Sequence, residues 1–188
     1  SFEDGNPAYH LGIAQEICRR FRGGFVISLD GITFDEGIHI IHGRVGSGKS
    51  TLARRLAEDA EFSGRRRILL FQEIEYHLTE DTVGKEIASW NVTGDEPAFT
   101  AFGKQDFTRD PYTLSRGELK RLLLSCILSS DADCLILDEP YSSLDSDAKE
   151  ILTELIRGRL GVTILFTHEM PNLDAVFWEI REGKLCRM

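Results

Sequence analysis

The residues with the clearest chemical use are Gly43-Arg44-Val45-Gly46-Ser47-Gly48-Lys49-Ser50-Thr51, which fit the pattern G-x-x-x-x-G-K-[ST]. Glycines at 43, 46 and 48 let the backbone turn inward, so that successive N–H groups line a concave anion site. A helix starting behind them adds the positive end of its dipole. Lys49 then reaches the β- and γ-phosphates of a nucleotide, and Ser50 offers its hydroxyl to Mg²⁺, whose octahedral shell phosphate oxygens and water complete. A second constellation is Cys134-Leu135-Ile136-Leu137-Asp138-Glu139, an apolar strand ending in two carboxylates and followed by Pro140. Adjacent strand residues point opposite ways, which allows Asp138 and Glu139 different tasks. Asp138 suits the outer shell of Mg²⁺, and Glu139 suits polarising an attacking water. An isolated Asp-Glu at a strand end is usually a solvated turn; following a phosphate loop, it reads as hydrolytic machinery.

Such residues need strands and helices in alternation to bring them together. Short β-rich runs at Ile38 to Ile41, Ile68 to Phe71, Cys134 to Leu137 and Val162 to Phe166 are separated by helical patterns at Lys49 to Ala60, Glu118 to Ser129 and Asp147 to Arg157. The expected fold is α/β, a P-loop nucleotide-hydrolase type with a mostly parallel central sheet covered on both faces, and chemistry at the carboxyl ends of the strands. Phe25 to Leu29 and Ile32 to Phe34, around Asp30-Gly31, read as N-terminal antiparallel strands. Ile13 to Phe21 fits helix or strand equally. From Glu73 to Thr113 the pattern breaks, with one helix expected over Thr82 to Trp90, and this stretch is expected to form a small inserted helical lobe. Val176 to Ile180 and Lys184 to Arg187 suggest a closing hairpin. The expectation is one domain over residues 1–188, with a core from 1–72 and 114–188 and the lobe at 73–113.

The chain has 188 residues, enough for one well-buried domain. Its 41% hydrophobic and 28% charged residues are those of a soluble globular protein, and no apolar run is long enough to span a bilayer. The net charge of −9, from 22 basic and 31 acidic residues, argues against broad nucleic-acid binding. Cys18, Cys126, Cys134 and Cys186 form no Cys-x-x-Cys pair and read as reduced, mostly core cysteines of an intracellular protein. The start at Ser1 rather than Met reads as a cut or a residual tag rather than a processed native terminus.

Leu114-Ser115-Arg116-Gly117-Glu118 stands directly before a helix, and Asp138-Glu139-Pro140 follows twenty residues on. With these, the chain resembles the ATP-binding-cassette (ABC) family over most of its length. That family's signature is Leu-Ser-Gly-Gly-Gln, whose Ser and second Gly bind the γ-phosphate held by the opposite subunit; they correspond to Ser115 and Gly117, while Arg116 and Glu118 depart from it. The resemblance further implies that Gln72 senses Mg²⁺ and the partner, that Ser142-Ser143-Leu144-Asp145 crosses a dimer interface, and that His168 is the switch histidine at the γ-phosphate. An aromatic upstream of the phosphate loop would stack on adenine, with Phe21 the candidate and Phe25 the second choice. His10, His39, His42 and His77 are left as structural or surface residues. Phe71-Gln72-Glu73-Ile74-Glu75 and Thr82-Val83 look most like the energy-coupling-factor and cobalt-type importer ATPases, with Ile74 and His77 in place of that group's Pro and second Gln.

The resemblance implies an ATPase subunit of a membrane transporter, cytoplasmic and peripheral at the inner face of the membrane. It would bind ATP and Mg²⁺ as a head-to-tail dimer with an identical or related chain. Alternatives are a soluble cassette ATPase in nucleic-acid repair or translation, against which the absence of heptads between Thr51 and Leu114 speaks, and a regulatory nucleotide-binding subunit with weak hydrolysis.

Overall fold

A computed structural model describes residues 24–44, 46–103, 105–181 and 184–188. Two sheets are present among them. The larger has six strands in the order β5 (Arg67–Leu70), β6 (Cys134–Asp138), β7 (Val162–Phe166), β3 (Gly37–His42), β8 (Val176–Arg181) and β9 (Lys184–Arg187). All neighbours are parallel except β8 and β9, which form the expected hairpin. The smaller sheet is antiparallel, with β1 (Ile27–Leu29) between β2 (Ile32–Phe34) and β4 (Glu61–Phe62).

The near-continuous apolar strands divide their side chains between two cores, as a period of two requires. Leu135, Leu137, Leu165 and Ile40 face one core, completed by α4 (Arg116–Ser129) and α5 (Ser146–Arg157). Cys134, Ile136, Ile164, Phe166 and Ile41 face the other, completed by α1 (Lys49–Glu58) and by Ile27 and Phe34 of the small sheet. Both faces are therefore covered, and β6 and β7 are buried along their whole length. With β5, β6, β7 and β3 side by side and parallel, the residues that follow each strand leave the sheet along one edge.

Between β5 and α4 the chain forms a 3₁₀ turn at Ile74–His77, then α2 (Val83–Ser89), α3 (Pro97–Phe102) and a second 3₁₀ turn at Pro111–Thr113. The side chain of Thr82 caps α2 by accepting from Lys85 N. Glu86 of α2 is fully buried, and its carboxylate accepts from Thr79 N, Glu80 N and the Trp90 indole at 2.9, 3.1 and 3.0 Å. The sequence does not predict α3 or β4, the first because its six residues are too few to show a helical period, the second because two residues carry no periodicity. Cys126 and Cys134 are buried and Cys186 is exposed; Cys18 and the stretch Ile13 to Phe21 lie outside the described residues. Among the described residues no helix is long and apolar enough to cross a membrane.

Candidate active site

The phosphate loop leaves β3 at His42 and enters α1 at Lys49. Gly46 and Gly48 have φ of 81° and 93°, a region that favours glycine, and Ser47 N closes the turn on Arg44 O at 3.0 Å. Gly43 contributes differently: a Cβ there would crowd the Ser47 side chain, which would have to turn away. Lys49, only 9% exposed, donates from Nζ to the carbonyls of Gly43 and Arg44 at 2.7 and 3.4 Å, so its ammonium is held at the centre of the loop.

Asp138 is the last residue of β6 and lies opposite Phe166 of β7. It is 4% exposed, and its Oδ1 is buried with no hydrogen-bond partner. Burial pushes its carboxyl above the ordinary range, the Ser50 hydroxyl beside it pulls down, and the charge of Glu139 pushes up again. A buried carboxylate oxygen without a protein partner, next to a hydroxyl at the start of a helix, fits a divalent cation. Among the described residues no cluster of three or more His, Cys, Asp or Glu could hold a metal on its own. The donor set therefore suits Mg²⁺, which keeps water and phosphate oxygens in its shell, better than a metal needing a full protein cage.

Glu139 follows with φ of 47°, the left-handed region that a non-glycine residue enters at a cost of about 1 kcal/mol or more. The turn sends its carboxylate toward the loop, where Oε1 is 3.9 Å from Lys49 Nζ and Oε2 is 2.9 Å from Nδ1 of His168. His168 stands two residues beyond the end of β7. Gln72 stands two residues beyond the end of β5, exposed. The preceding residue is tied to the 3₁₀ turn, since His77 Nε2 accepts from Phe71 N at 3.0 Å.

One cleft of about 440 Å³ gathers Gly46, Gly48, Lys49, Ser50, Thr51, Gln72, Asp138, Glu139 and His168, and adds Ser142. A second cavity, about 520 Å³, shares Gly48 and Thr51 and is lined by Leu29, Ile32, Phe34, Leu52 and Leu185. Arg44 is exposed at the loop; Val45 and Phe21 lie outside the described residues, and Phe25 packs beside the core under the small sheet. Ser115 and Gly117 are not part of the cleft. They open α4, where Ser115 and Glu118 form a reciprocal capping box and Arg109 Nη1 donates to Glu118 Oε1 at 2.9 Å. These bonds hold the Glu118 carboxyl down to about 2, the Ser115 hydroxyl first among them. The departure from the signature glutamine thus has a structural use.

Two residues of the site escaped the sequence reading. From sequence, Ser142 belongs only to the loop expected to cross a dimer interface. Lys120 was passed over, although a lysine among Leu119, Leu122 and Leu123 was a visible signal: it is 1% exposed, and its Nζ donates to the Glu139 carbonyl at 3.2 Å. Burial pushes its ammonium down to about 8 against the pull of Asp138 and Glu139.

No protein-family model matches the chain. It is 31% identical over 198 aligned positions to an ABC transporter ATP-binding protein of Methanosarcina acetivorans, a match covering 81% of this chain and 72% of that one. The chain belongs to the ABC transporter ATP-binding proteins. Within that family it is 28% identical over 181 positions to the energy-coupling factor transporter ATP-binding protein EcfA2 of Listeria welshimeri, a match covering 75% of this chain and 63% of the relative, so this ABC chain spans just under two thirds of that protein's length. Its fold is that of an ABC transporter ATP-binding protein from Pyrococcus furiosus, with a TM-score of 0.65 at 19% identity, over 84% of this chain and 98% of that one.

Proposed function

We propose that this ABC chain is the ATP-hydrolysing subunit of a membrane transporter, and that it works as a head-to-tail dimer in which each cleft is closed by the partner's signature. The observation that carries the reading is the convergence of Lys49, Ser50, Gln72, Asp138, Glu139 and His168 in one cleft at the ends of four neighbouring strands. The loop N–H groups and Lys49 bind the phosphates, with Lys49 exchanging the Gly43 and Arg44 carbonyls for phosphate oxygens. Ser50, Asp138 and Gln72 would hold Mg²⁺, which would neutralise phosphate charge when bound. Glu139 takes the proton of the attacking water, and His168 keeps its carboxylate oriented. The adenine lies toward the apolar cavity lined by Leu29, Ile32 and Phe34.

Ser115 and Gly117 do not line the chain's own cleft, which fits a role at the nucleotide of the opposite copy. In this reading residues 73–113 are the small lobe that meets a membrane subunit, with the protein peripheral at the cytoplasmic face of the membrane. The EcfA2 relative supports a partner of the energy-coupling-factor kind. Against a repair-type cassette protein, the described helices between α1 and α4 are short, with seven and six residues.

The test is ATPase activity beside sedimentation, for the native chain and Glu139→Gln, with Mg-ATP. Turnover by the native chain and an ATP-dependent dimer without turnover for the variant support the reading. ATP binding with neither turnover nor dimer formation by either chain sinks the homodimer and leaves a different second subunit or a regulatory role.

A further inference from the structure

Glu139 is the one residue of the cleft whose backbone is both strained and pinned on both sides. Its N–H donates to Phe166 O at 2.8 Å. Its carbonyl accepts from Ser142 Oγ at 2.8 Å, Ser142 N at 3.2 Å and Lys120 Nζ at 3.2 Å. A left-handed glutamate persists only where its surroundings over-determine it. The Lys120 contact is the unexpected member of the set. The residue sits on the second turn of α4, on a helix whose buried residues include Leu119, Leu122, Leu123 and Leu124, and among the described residues the Glu139 carbonyl is the only hydrogen-bond acceptor its ammonium has. A buried charge with one neutral hydrogen-bond acceptor costs stability that the nearby charges of Asp138 and Glu139 offset only in part, and an apolar side chain of similar length packs at least as favourably in such a place. Stability therefore does not account for a lysine at this position, and its single bond names the backbone it serves.

We propose that Lys120 is a positioning residue for hydrolysis: through the Glu139 carbonyl it holds the turn that aims the Glu139 carboxylate into the cleft. The inference rests on the reading of Glu139 as the base. It also joins the two ends of the machinery, because the helix that presents Ser115 at its first turn grips the carboxylate-bearing turn from its second.

The experiment measures kcat, KM, binding of a fluorescent ATP analogue and melting temperature for Lys120→Met and Lys120→Gln in the whole chain, with Glu139→Gln alongside. Misaiming a reacting group by a fraction of an ångström to 1 Å should lower kcat about 10- to 100-fold in Lys120→Met, with KM and analogue affinity within about 3-fold of native. Lys120→Gln keeps an N–H donor and should recover part of the loss, which a mere packing defect would not allow. A Lys120→Met chain that melts like the native protein and keeps its kcat overturns the proposal. Should that variant not fold, Ser142→Ala removes another donor from the same carbonyl, and native kcat there overturns it equally. Native turnover by Glu139→Gln instead sinks the reading of Glu139 as base, whatever Lys120 does.

Discussion

Nδ1 of His168 lies 2.9 Å from Oε2 of Glu139, while Lys49 Nζ stands 3.9 Å from Oε1 of the same carboxylate. The carboxylate is thus held from both sides, by a side chain that belongs to the phosphate loop and by one that is two-thirds exposed at the end of β7. As the proposed base, a carboxylate held this way is oriented before substrate arrives, and the two substitutions around it should separate chemistry from orientation. Glu139→Gln is expected to lower kcat by about 10²- to 10⁴-fold. His168→Ala leaves the base in place but loosens it, so a loss of about 10-fold or more is expected with ATP affinity little changed. Steady-state kinetics with direct nucleotide titration would show it, and a His168→Ala enzyme of native kcat would remove the histidine from the mechanism.

The four strand ends that build this site were legible because each strand is an apolar run closed by a polar residue, and the alternation of runs with helical segments leaves a parallel sheet as the economical arrangement. What sequence could not show follows from the same physics. Lys120 looks like a solvated charge until the helix is known to be buried on nearly every side, and Glu118 looks like a weakened signature until Ser115 and Arg109 are seen to bond it. The left-handed turn at Glu139 has no glycine to announce it. Helix α4 was expected to begin at Glu118 and begins two residues earlier, because Glu118 closes the cap rather than opening the helix.

His39, expected to be structural or on the surface, is buried and held in a specific tautomer. The Trp178 indole donates to its Nδ1 at 3.2 Å, so Nε2 carries the proton toward Asp35 O at 2.9 Å. Burial lowers its pKa below 6.5, opposed by Asp35 and aided by Arg187. The folded state then binds a proton less readily than the unfolded one, so this contribution is complete above about pH 6.5 and is lost as the pH falls below it. Urea midpoints measured from pH 8 to pH 5 should decline on the acid side for the native chain and decline less for His39→Gln, which keeps a donor and an acceptor but does not titrate. Equal acid slopes in the two chains would place the loss elsewhere.

Glu86 organises the segment that follows Gln72. Its buried carboxylate satisfies two backbone N–H groups and the Trp90 indole at once, tying residues 79 and 80 to α2. Glu86→Leu takes the acceptor away from these three part-buried donors and should cost about 3 kcal/mol of unfolding free energy, at about 1 kcal/mol for each. Glu86→Gln, which retains an acceptor, should cost less. Chemical denaturation reads both, and a leucine variant as stable as the native chain would show that water replaces the carboxylate.

Asp138 should separate nucleotide-free stability from metal-dependent stabilisation, with opposite signs. Burial raises its pKa, which means the ionised carboxylate is disfavoured in the folded chain, so Asp138→Asn removes a cost and the nucleotide-free variant should melt no lower than the native protein. The same substitution removes the charge proposed to hold Mg²⁺ with Ser50. For the native chain, Mg-ATP at about 100 times its dissociation constant should stabilise by about 2.7 kcal/mol, and replacing Mg²⁺ by a chelator should withdraw part of that. In Asp138→Asn the stabilisation by ATP with and without Mg²⁺ should become nearly equal, while Ser50→Ala should reduce the difference without raising nucleotide-free stability. Thermal melts of the three chains with ATP, under both conditions, supply the comparison. If Asp138→Asn keeps the full Mg²⁺ increment, the orphaned oxygen of Asp138 serves something other than the cation.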